Sequence, residues 1–137
     1  MQIQRIDHLV IRVRDADAMI RFYVDVVGCG FDRSVERLGL HHLRAGASMI
    51  DLVSSDGELG RAGGAPPGAE GRNLDHLCLR VDPFDVDEIR RHYEMHGVEL
   101  SPVYENYGAE GTGPSIYLKD PEGNTIELKG PPRAEAG

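Results

Sequence analysis

The chain contains the sequence IDHLVIRV at residues 6–13 and a near copy of it, LDHLCLRV, at residues 74–81. The Asp-His-Leu core, the arginine and the final valine stand at the same places in both copies. A second, shorter repeat follows each copy: IDL at residues 50–52 and IEL at residues 126–128. Self-similarity at one spacing indicates a duplicated structural unit. We therefore expect two similar modules, each with one histidine and one carboxylate on apolar strands.

The composition limits what the chain can be. Its 137 residues are enough to bury a core without disulfides. Cys29 and Cys78 are too few for a disulfide framework, which predicts reduced thiols. No apolar run approaches the length of a membrane span and no signal-peptide core is visible, so we expect a cytoplasmic protein without membrane contact. The net charge of −8 argues against a nucleic-acid surface, which needs clustered Lys and Arg.

Hydrophobic periodicity and turn residues predict the same order of elements, β-α-β-β-β, in both halves. Asp15 and Asp85 are predicted to cap the two helices at their first turns. The predicted fold class is α+β with a mixed sheet: the two modules form one domain, with one curved sheet and the helices on its convex side. The predicted strands cover residues 3–13, 31–37, 39–45 and 47–54 in the first half, and 74–82, 99–105, 114–119 and 124–129 in the second.

Two further segments complete the predicted domain, which covers residues 1–130. Residues 56–73 are rich in Gly, Ala and Pro, and they are predicted to link module one, residues 1–55, to module two, residues 74–130. A functional flap is the alternative for so long a loop. Residues 131–137 are predicted to form a frayed C-terminal tail.

Four polar side chains are predicted to meet. Strand side chains alternate between faces, so His8 and His76 lie opposite the apolar side of their strands. The same parity holds for Asp51 and Glu127. If the halves pair around a pseudo-twofold axis, the four converge on one concave face. Two imidazoles and two carboxylates suit a divalent metal with room for water or substrate. Asp51 is one methylene shorter than its counterpart, which leaves its ligation open.

The remaining histidines and a cysteine are predicted to lie outside this cluster. His41 and His42 are adjacent, so they point to opposite faces, and a solvated edge is expected for them. His92 and His96 fall one turn apart on the second helix, a spacing that can bind metal, but a surface face is the better interpretation. Cys78 shares the face of His76, where a small buried residue is expected. Lining of the pocket is the alternative for Cys78.

The sequence resembles a known family at these motifs. The Asp-His-Leu openings, Phe22-Tyr23 and the ending DPEGNTIEL at residues 120–128 are similar to those of the vicinal oxygen chelate superfamily. That group includes glyoxalase I, fosfomycin-resistance transferases, methylmalonyl-CoA epimerase, extradiol dioxygenases and bleomycin-binding proteins. The resemblance covers nearly the whole chain. It implies paired β-α-β-β-β modules, a small-molecule substrate and a homodimer.

The resemblance also implies residue roles. His8, His76 and Glu127 match the metal triad of the metal-dependent members, and Asp51 falls where glyoxalase I has a fourth ligand, normally glutamate. The implied cofactor is a divalent metal ion, with zinc, nickel, manganese, cobalt and iron all open. Glu127 is the expected catalytic base for proton transfer.

Two arginines match substrate-binding positions of glyoxalase I. Arg12 and Arg72 fall where that enzyme has glutathione-binding arginines, although Ser55 stands where an assisting asparagine is expected. The function implied is a metal-dependent lyase or isomerase of the glyoxalase type, which moves a proton next to a metal-chelated carbonyl. An Fe(II) extradiol-type dioxygenase and a small-molecule (antibiotic) binding protein without turnover are the alternatives.

Overall fold

The computed structural model describes residues 1–134 and divides the chain into two compact units. The first unit contains residues 1–73 together with residues 121–123. The second contains residues 74–120 and the chain from Asn124 onward. The Gly-rich segment 56–73 belongs to the first unit.

The first unit carries a four-stranded mixed sheet in the order β1-β4-β3-β2. Strand β1 is parallel to β4, whereas the β2–β3 and β3–β4 pairs are antiparallel. The helix between β1 and β2 provides the crossover that a parallel pair requires. The elements are β1 (His8–Val13), α1 (Ala16–Arg21) with a π-helical turn (Phe22–Val27), β2 (Gly30–Val35), a 3₁₀ turn (Glu36–Leu38), β3 (Leu40–Ala45), β4 (Ser48–Ser54) and a second 3₁₀ turn (Gly60–Gly63).

The second unit repeats this arrangement, with a four-stranded sheet in the order β5-β8-β7-β6. Strand β5 is parallel to β8, and the other pairs are antiparallel. The order β-α-β-β-β in both halves and the α+β class are therefore confirmed. The elements are β5 (Leu77–Arg80), α2 (Val86–Met95), β6 (Tyr104–Gly108), β7 (Gly111–Lys119) and β8 (Thr125–Lys129).

The sheet itself differs from the prediction, because the strands form two four-stranded sheets and not one curved sheet. Each module pairs its own strands through one crossover and two antiparallel connections, so every hydrogen-bonded neighbour comes from the same repeat. The duplicated sequence thus encodes two complete sheets.

Both helices begin where the sequence predicts. The Asp15 carboxylate accepts the backbone N–H of Ala18 at 3.1 Å, and the Asp85 carboxylate accepts that of Glu88 at 3.1 Å. Each cap satisfies a helix N–H that has no carbonyl partner within the helix. The first helix ends at Gly28, whose φ of 102° is inexpensive only for glycine.

The faces of β1 follow the predicted alternation. Ile11 and Val13 are buried in the core, whereas His8 and Val10 on the other face are exposed. The strand begins at His8 and not at residue 3, and β5 begins one residue after His76. Each histidine therefore stands at or just before the start of its strand, where its side chain is open to solvent.

The C-terminal segment is hydrogen-bonded to the second unit. The backbone N–H of Arg133 donates to the carbonyl oxygen of Thr112 at 2.8 Å, and its guanidinium pairs with Glu105 at 2.7 Å. The last part of the predicted frayed tail, residues 135–137, lies outside the described residues. None of the helices in residues 1–134 is long and apolar enough to cross a lipid bilayer.

Candidate functional site

Glu127 is the centre of a polar cluster in the second unit. On the sheet it stands between Cys78 of β5 and Tyr117 of β7, and it is 5% exposed. The hydroxyl of Ser115 donates to its Oε2 at 2.6 Å, and the hydroxyl of Tyr117 donates to its Oε1 at 3.3 Å. The amide of Asn106 donates to Oε2 at 3.4 Å. These donors fix the carboxylate in one orientation.

The same contacts keep Glu127 ionised. Burial by itself would raise the pKa of this carboxyl. The hydrogen bonds from Ser115, Asn106 and Tyr117, together with the positive charge that His76 carries when it is protonated, outweigh burial and hold the pKa of Glu127 below its ordinary value. A carboxylate with a lowered pKa is a good ligand for a cation and a weaker acceptor for a proton.

His76 is held between two carboxylates. Its Nδ1 lies 2.7 Å from Asp75 Oδ1, and its Nε2 lies 3.2 Å from Glu127 Oε1. If Nδ1 donates its hydrogen to Asp75 in the neutral ring, Nε2 presents a lone pair to an ionised oxygen. Two acceptors at that distance repel each other unless a proton or a metal cation lies between them. The ring and the carboxylate therefore form a pair of donors suited to one cation.

Cys78 is exposed, so the expected buried position is wrong. It is the neighbour of Glu127 across the β5–β8 pair. Partial burial and the negative charge of Glu127 raise the pKa of the Cys78 thiol to about 11. This pKa favours the protonated thiol at neutral pH.

Asp51 takes the equivalent place in the first unit. It stands between Val10 of β1 and His42 of β3, and it is 4% exposed. His42 Nδ1 approaches its Oδ1 to 3.0 Å, but the approach lacks hydrogen-bond geometry, and Oδ1 has no hydrogen-bond partner within the described part of the chain. A buried carboxylate oxygen without a donor costs free energy. Such an oxygen is available to a cation or a transferred proton.

His8 makes the same contact with its preceding aspartate as His76 does. Its Nδ1 lies 2.7 Å from Asp7 Oδ1, and its side chain is 48% exposed. The hydrogen bond that His8 donates to the Asp7 carboxylate raises the pKa of His8, desolvation opposes this, and the negative charge of Asp51 adds to the rise. His8 therefore lies within electrostatic reach of Asp51. Each unit supplies one imidazole and one buried carboxylate.

The ligand types in each unit suit a divalent metal. Imidazole and carboxylate are ligands that zinc, iron, manganese, cobalt and nickel accept. The 3.2 Å between His76 Nε2 and Glu127 Oε1 is close to the spacing of two ligand atoms that each lie about 2.0–2.2 Å from one ion. No group of three or more His, Cys, Asp or Glu side chains forms a complete ligand set within residues 1–134.

The other histidines divide into two kinds. The solvated edge expected for His41 and His42 is wrong: His41 is 8% exposed with its Nδ1 2.7 Å from the Ser34 hydroxyl, and the His42 side chain is 22% exposed. The cause is that β3 is an interior strand of its sheet, with neighbours on both sides. His92 and His96 are exposed on and just after α2, as predicted, with ring centroids 4.9 Å apart.

Arg12 is engaged with the Gly-rich segment. Its guanidinium donates to the carbonyl oxygens of Gly60 at 3.0 Å, Ala65 at 3.2 Å and Gly64 at 2.6 Å. A Cβ on Gly63 would meet the guanidinium end of Arg12, so a larger residue there would displace that side chain. The geometry suits a residue that holds the loop, and the anion-binding role predicted from the resemblance remains a prediction.

Arg72 also contacts a loop. Its Nη1 donates to the carbonyl oxygen of Glu122 at 3.0 Å, in the turn that belongs to the first unit. The carboxylate of Glu122 in turn accepts the backbone N–H groups of Arg14 and Asp15, each at 2.8 Å. Arg72 thus stabilises the turn, and its predicted role in substrate binding is untested.

A Ser115→Ala substitution is expected to raise the pKa of Glu127, because it removes the strongest of the bonds to the ionised form. A lowered pKa stabilises the fold above the unfolded pKa of about 4.3, and that contribution is lost as pH falls through the folded pKa. In the variant the loss should therefore occur at a higher pH. Hydrogen bonds to charged groups contribute roughly 1.5–3 kcal/mol to stability, and Ser115→Ala removes one such bond. Carboxyl NMR titration of the metal-free chain measures the shift, and an unchanged pKa of Glu127 contradicts the expectation.

Known proteins are similar to this chain in sequence and in fold. A family profile described as the Glyoxalase/Bleomycin resistance protein/Dioxygenase superfamily matches residues 5–128. Virulence protein STM3117 of Salmonella typhimurium is 34% identical in an alignment of 131 positions that covers 93% of this chain and 85% of that protein. Its crystal structure gives a TM-score of 0.79 at 30% identity and covers 96% of this chain and 99% of that chain.

Two more relatives extend the comparison. Glyoxalase domain-containing protein RDO1 of Mycosarcoma maydis is 30% identical in an alignment of 135 positions that covers 93% of this chain and 69% of that protein. Lactoylglutathione lyase from Agrobacterium tumefaciens shares the fold alone, with a TM-score of 0.69 at 21% identity over 95% of this chain and 96% of that chain. With its duplicated β-α-β-β-β units, the chain belongs to the glyoxalase, bleomycin resistance protein and dioxygenase superfamily.

Proposed function

We propose that the protein is a metal-dependent lyase or isomerase of the glyoxalase type, acting on a small molecule by moving a proton next to a carbonyl group. The proposed metal ligands are His8, Asp51, His76 and Glu127. The observation that carries the proposal is the pairing of His76 Nε2 with the ionised, fixed Glu127 Oε1 at 3.2 Å, because it needs a cation or a proton between the two atoms.

The first unit supports the same proposal independently. Asp51 keeps a buried oxygen without a hydrogen-bond donor among the residues described, and its charge acts on His8. A protein with no use for this oxygen would gain stability by replacing it with an uncharged group. The sequence of β4 keeps an aspartate in an otherwise apolar stretch, which favours a functional role.

A divalent metal bound there would act as a Lewis acid that polarises a substrate carbonyl. Glu127 is held ionised by three donors, so we assign it first to ligation. The sequence predicts Glu127 as the base; Asp51, whose Oδ1 has no hydrogen-bond donor among the described residues, is the alternative base where it does not bind the metal. The Tyr117 hydroxyl, whose pKa is raised by burial and by Glu127, stays protonated and donates.

The substrate class remains open between glutathione adducts and other anionic small molecules. Arg12 and Arg72 would bind the anion through those guanidinium N–H groups that do not already donate to loop carbonyl oxygens. A homodimer is part of the proposal, because Val10, beside His8 on the open face of β1, is 48% exposed. Sedimentation at micromolar concentration checks it, and a monomer under all conditions contradicts it.

The test is metal analysis of the isolated protein, followed by turnover with methylglyoxal plus glutathione and with a catechol. We expect bound metal and isomerisation of the glutathione adduct or of another α-hydroxycarbonyl compound. Ring cleavage of the catechol with iron, and no proton transfer, would assign the dioxygenase chemistry instead. Tight binding of a small molecule without any turnover or metal would assign the binding function.

A further inference from the structure

Each of the two proposed histidine ligands makes the same contact with the aspartate that precedes it. In the first unit His8 Nδ1 lies 2.7 Å from Asp7 Oδ1, and in the second unit His76 Nδ1 lies 2.7 Å from Asp75 Oδ1. Both aspartates are the residue directly before the histidine. Their side chains are 86% and 97% exposed, so packing does not hold them against the rings.

This contact decides which ring nitrogen can bind a ligand. A neutral imidazole has one N–H and one lone pair, and a carboxylate at Nδ1 favours the form in which Nδ1 carries the hydrogen. Nε2 then has the lone pair. In the second unit this nitrogen is the one that faces Glu127. The aspartate and the proposed coordination therefore use opposite edges of the same ring.

We propose that Asp7 and Asp75 are positioning residues, which hold His8 and His76 in the Nδ1–H form so that each ring offers Nε2 to a divalent cation. The inference rests on the proposed metal site and adds two residues behind its ligands. Carboxylates in this place orient the ring and raise the basicity of the ligand nitrogen, and their loss lowers metal affinity by roughly 10–100-fold. Because both aspartates are exposed, about 10-fold is expected for each.

The chain offers matched variants for the test. Asp7→Ala and Asp75→Ala remove the acceptor, whereas Asp7→Asn and Asp75→Asn keep an oxygen that can accept from Nδ1–H but remove the charge. Asp17→Ala and Asp87→Ala serve as controls, because both residues are exposed in the first turn of a helix of the same unit. Zinc affinity is measured by competition with a chelator, and ring tautomers by ¹⁵N NMR of the metal-free protein.

We expect each alanine variant to bind zinc about 10-fold more weakly and to shift its own histidine toward the Nε2–H form. The asparagine variants should keep the tautomer and recover part of the affinity. The proposal is overturned if the alanine variants keep wild-type affinity and tautomers, or if the controls lose as much. Should the wild type bind no zinc, the proposed function fails, while the NMR tautomers still decide whether the aspartates set the ring form.

Discussion

Replacing Glu127 with glutamine is expected to weaken the binding of a divalent metal by at least about 100-fold. Glutamine keeps the shape and can still accept the bond from Ser115, but it removes the negative charge that faces His76 Nε2. Loss of a direct ligand should exceed the 10–100-fold that loss of a residue behind a ligand costs. The measurement is zinc affinity by chelator competition, with turnover determined at saturating metal.

The matched control is Glu110→Gln, which changes an exposed glutamate of the same unit that pairs with Arg80. Turnover at saturating metal then separates two roles of Glu127. A remaining loss of about 10²–10⁴-fold would assign proton transfer to it, as the sequence predicts. A small remaining loss would leave it as a ligand. Wild-type metal affinity in Glu127→Gln would contradict the proposed coordination.

An Asp51→Asn substitution is expected to have opposite effects on stability and on metal binding. The carboxylate Oδ1 is buried without a hydrogen-bond donor in the described structure, and His42 Nδ1 is 3.0 Å away. An amide N–H of asparagine can donate to that nitrogen, and the buried charge disappears. An unsatisfied buried group costs about 1–3 kcal/mol, so the metal-free variant should be more stable by about that amount. The same change should weaken metal binding.

Urea unfolding of the metal-free protein gives the stability, and the chelator assay gives the affinity. Asp32→Asn is the control, since Asp32 pairs with Arg44 at a partly exposed position and should not gain stability. A metal-free Asp51→Asn protein that is less stable than the wild type, with unchanged metal affinity, would mean that Asp51 has a structural role alone.

Local patterns were sufficient for the order of elements. The caps at Asp15 and Asp85 and the alternation along β1 depend on residues near one another in the chain. The division into two sheets could not be predicted from the repeat, because periodicity shows which face of a strand is apolar and not which strand pairs with it.

Whether the partners of Asp51 and Glu127 can be predicted depends on the strand register. His42 was within reach of sequence reasoning: a tight turn at Gly46, with φ of 61°, pairs Ala45 with Ser48 and hence His42 with Asp51. Asn106 was not, because β6 covers Tyr104–Gly108 and not the predicted 99–105. The contacts of Arg12 with Gly60, Gly64 and Ala65 join distant parts of the chain, and no periodic pattern indicates them.

The central proposal is that His8, Asp51, His76 and Glu127 are ligands of a divalent metal, and the most direct measurement is the metal content and zinc affinity of four single variants beside the wild type. The variants are His8→Ala, Asp51→Asn, His76→Ala and Glu127→Gln. We predict about one metal per chain in the wild type and a clear loss of affinity in every variant. Wild-type zinc affinity in any one of these variants would contradict the ligand role proposed for that residue.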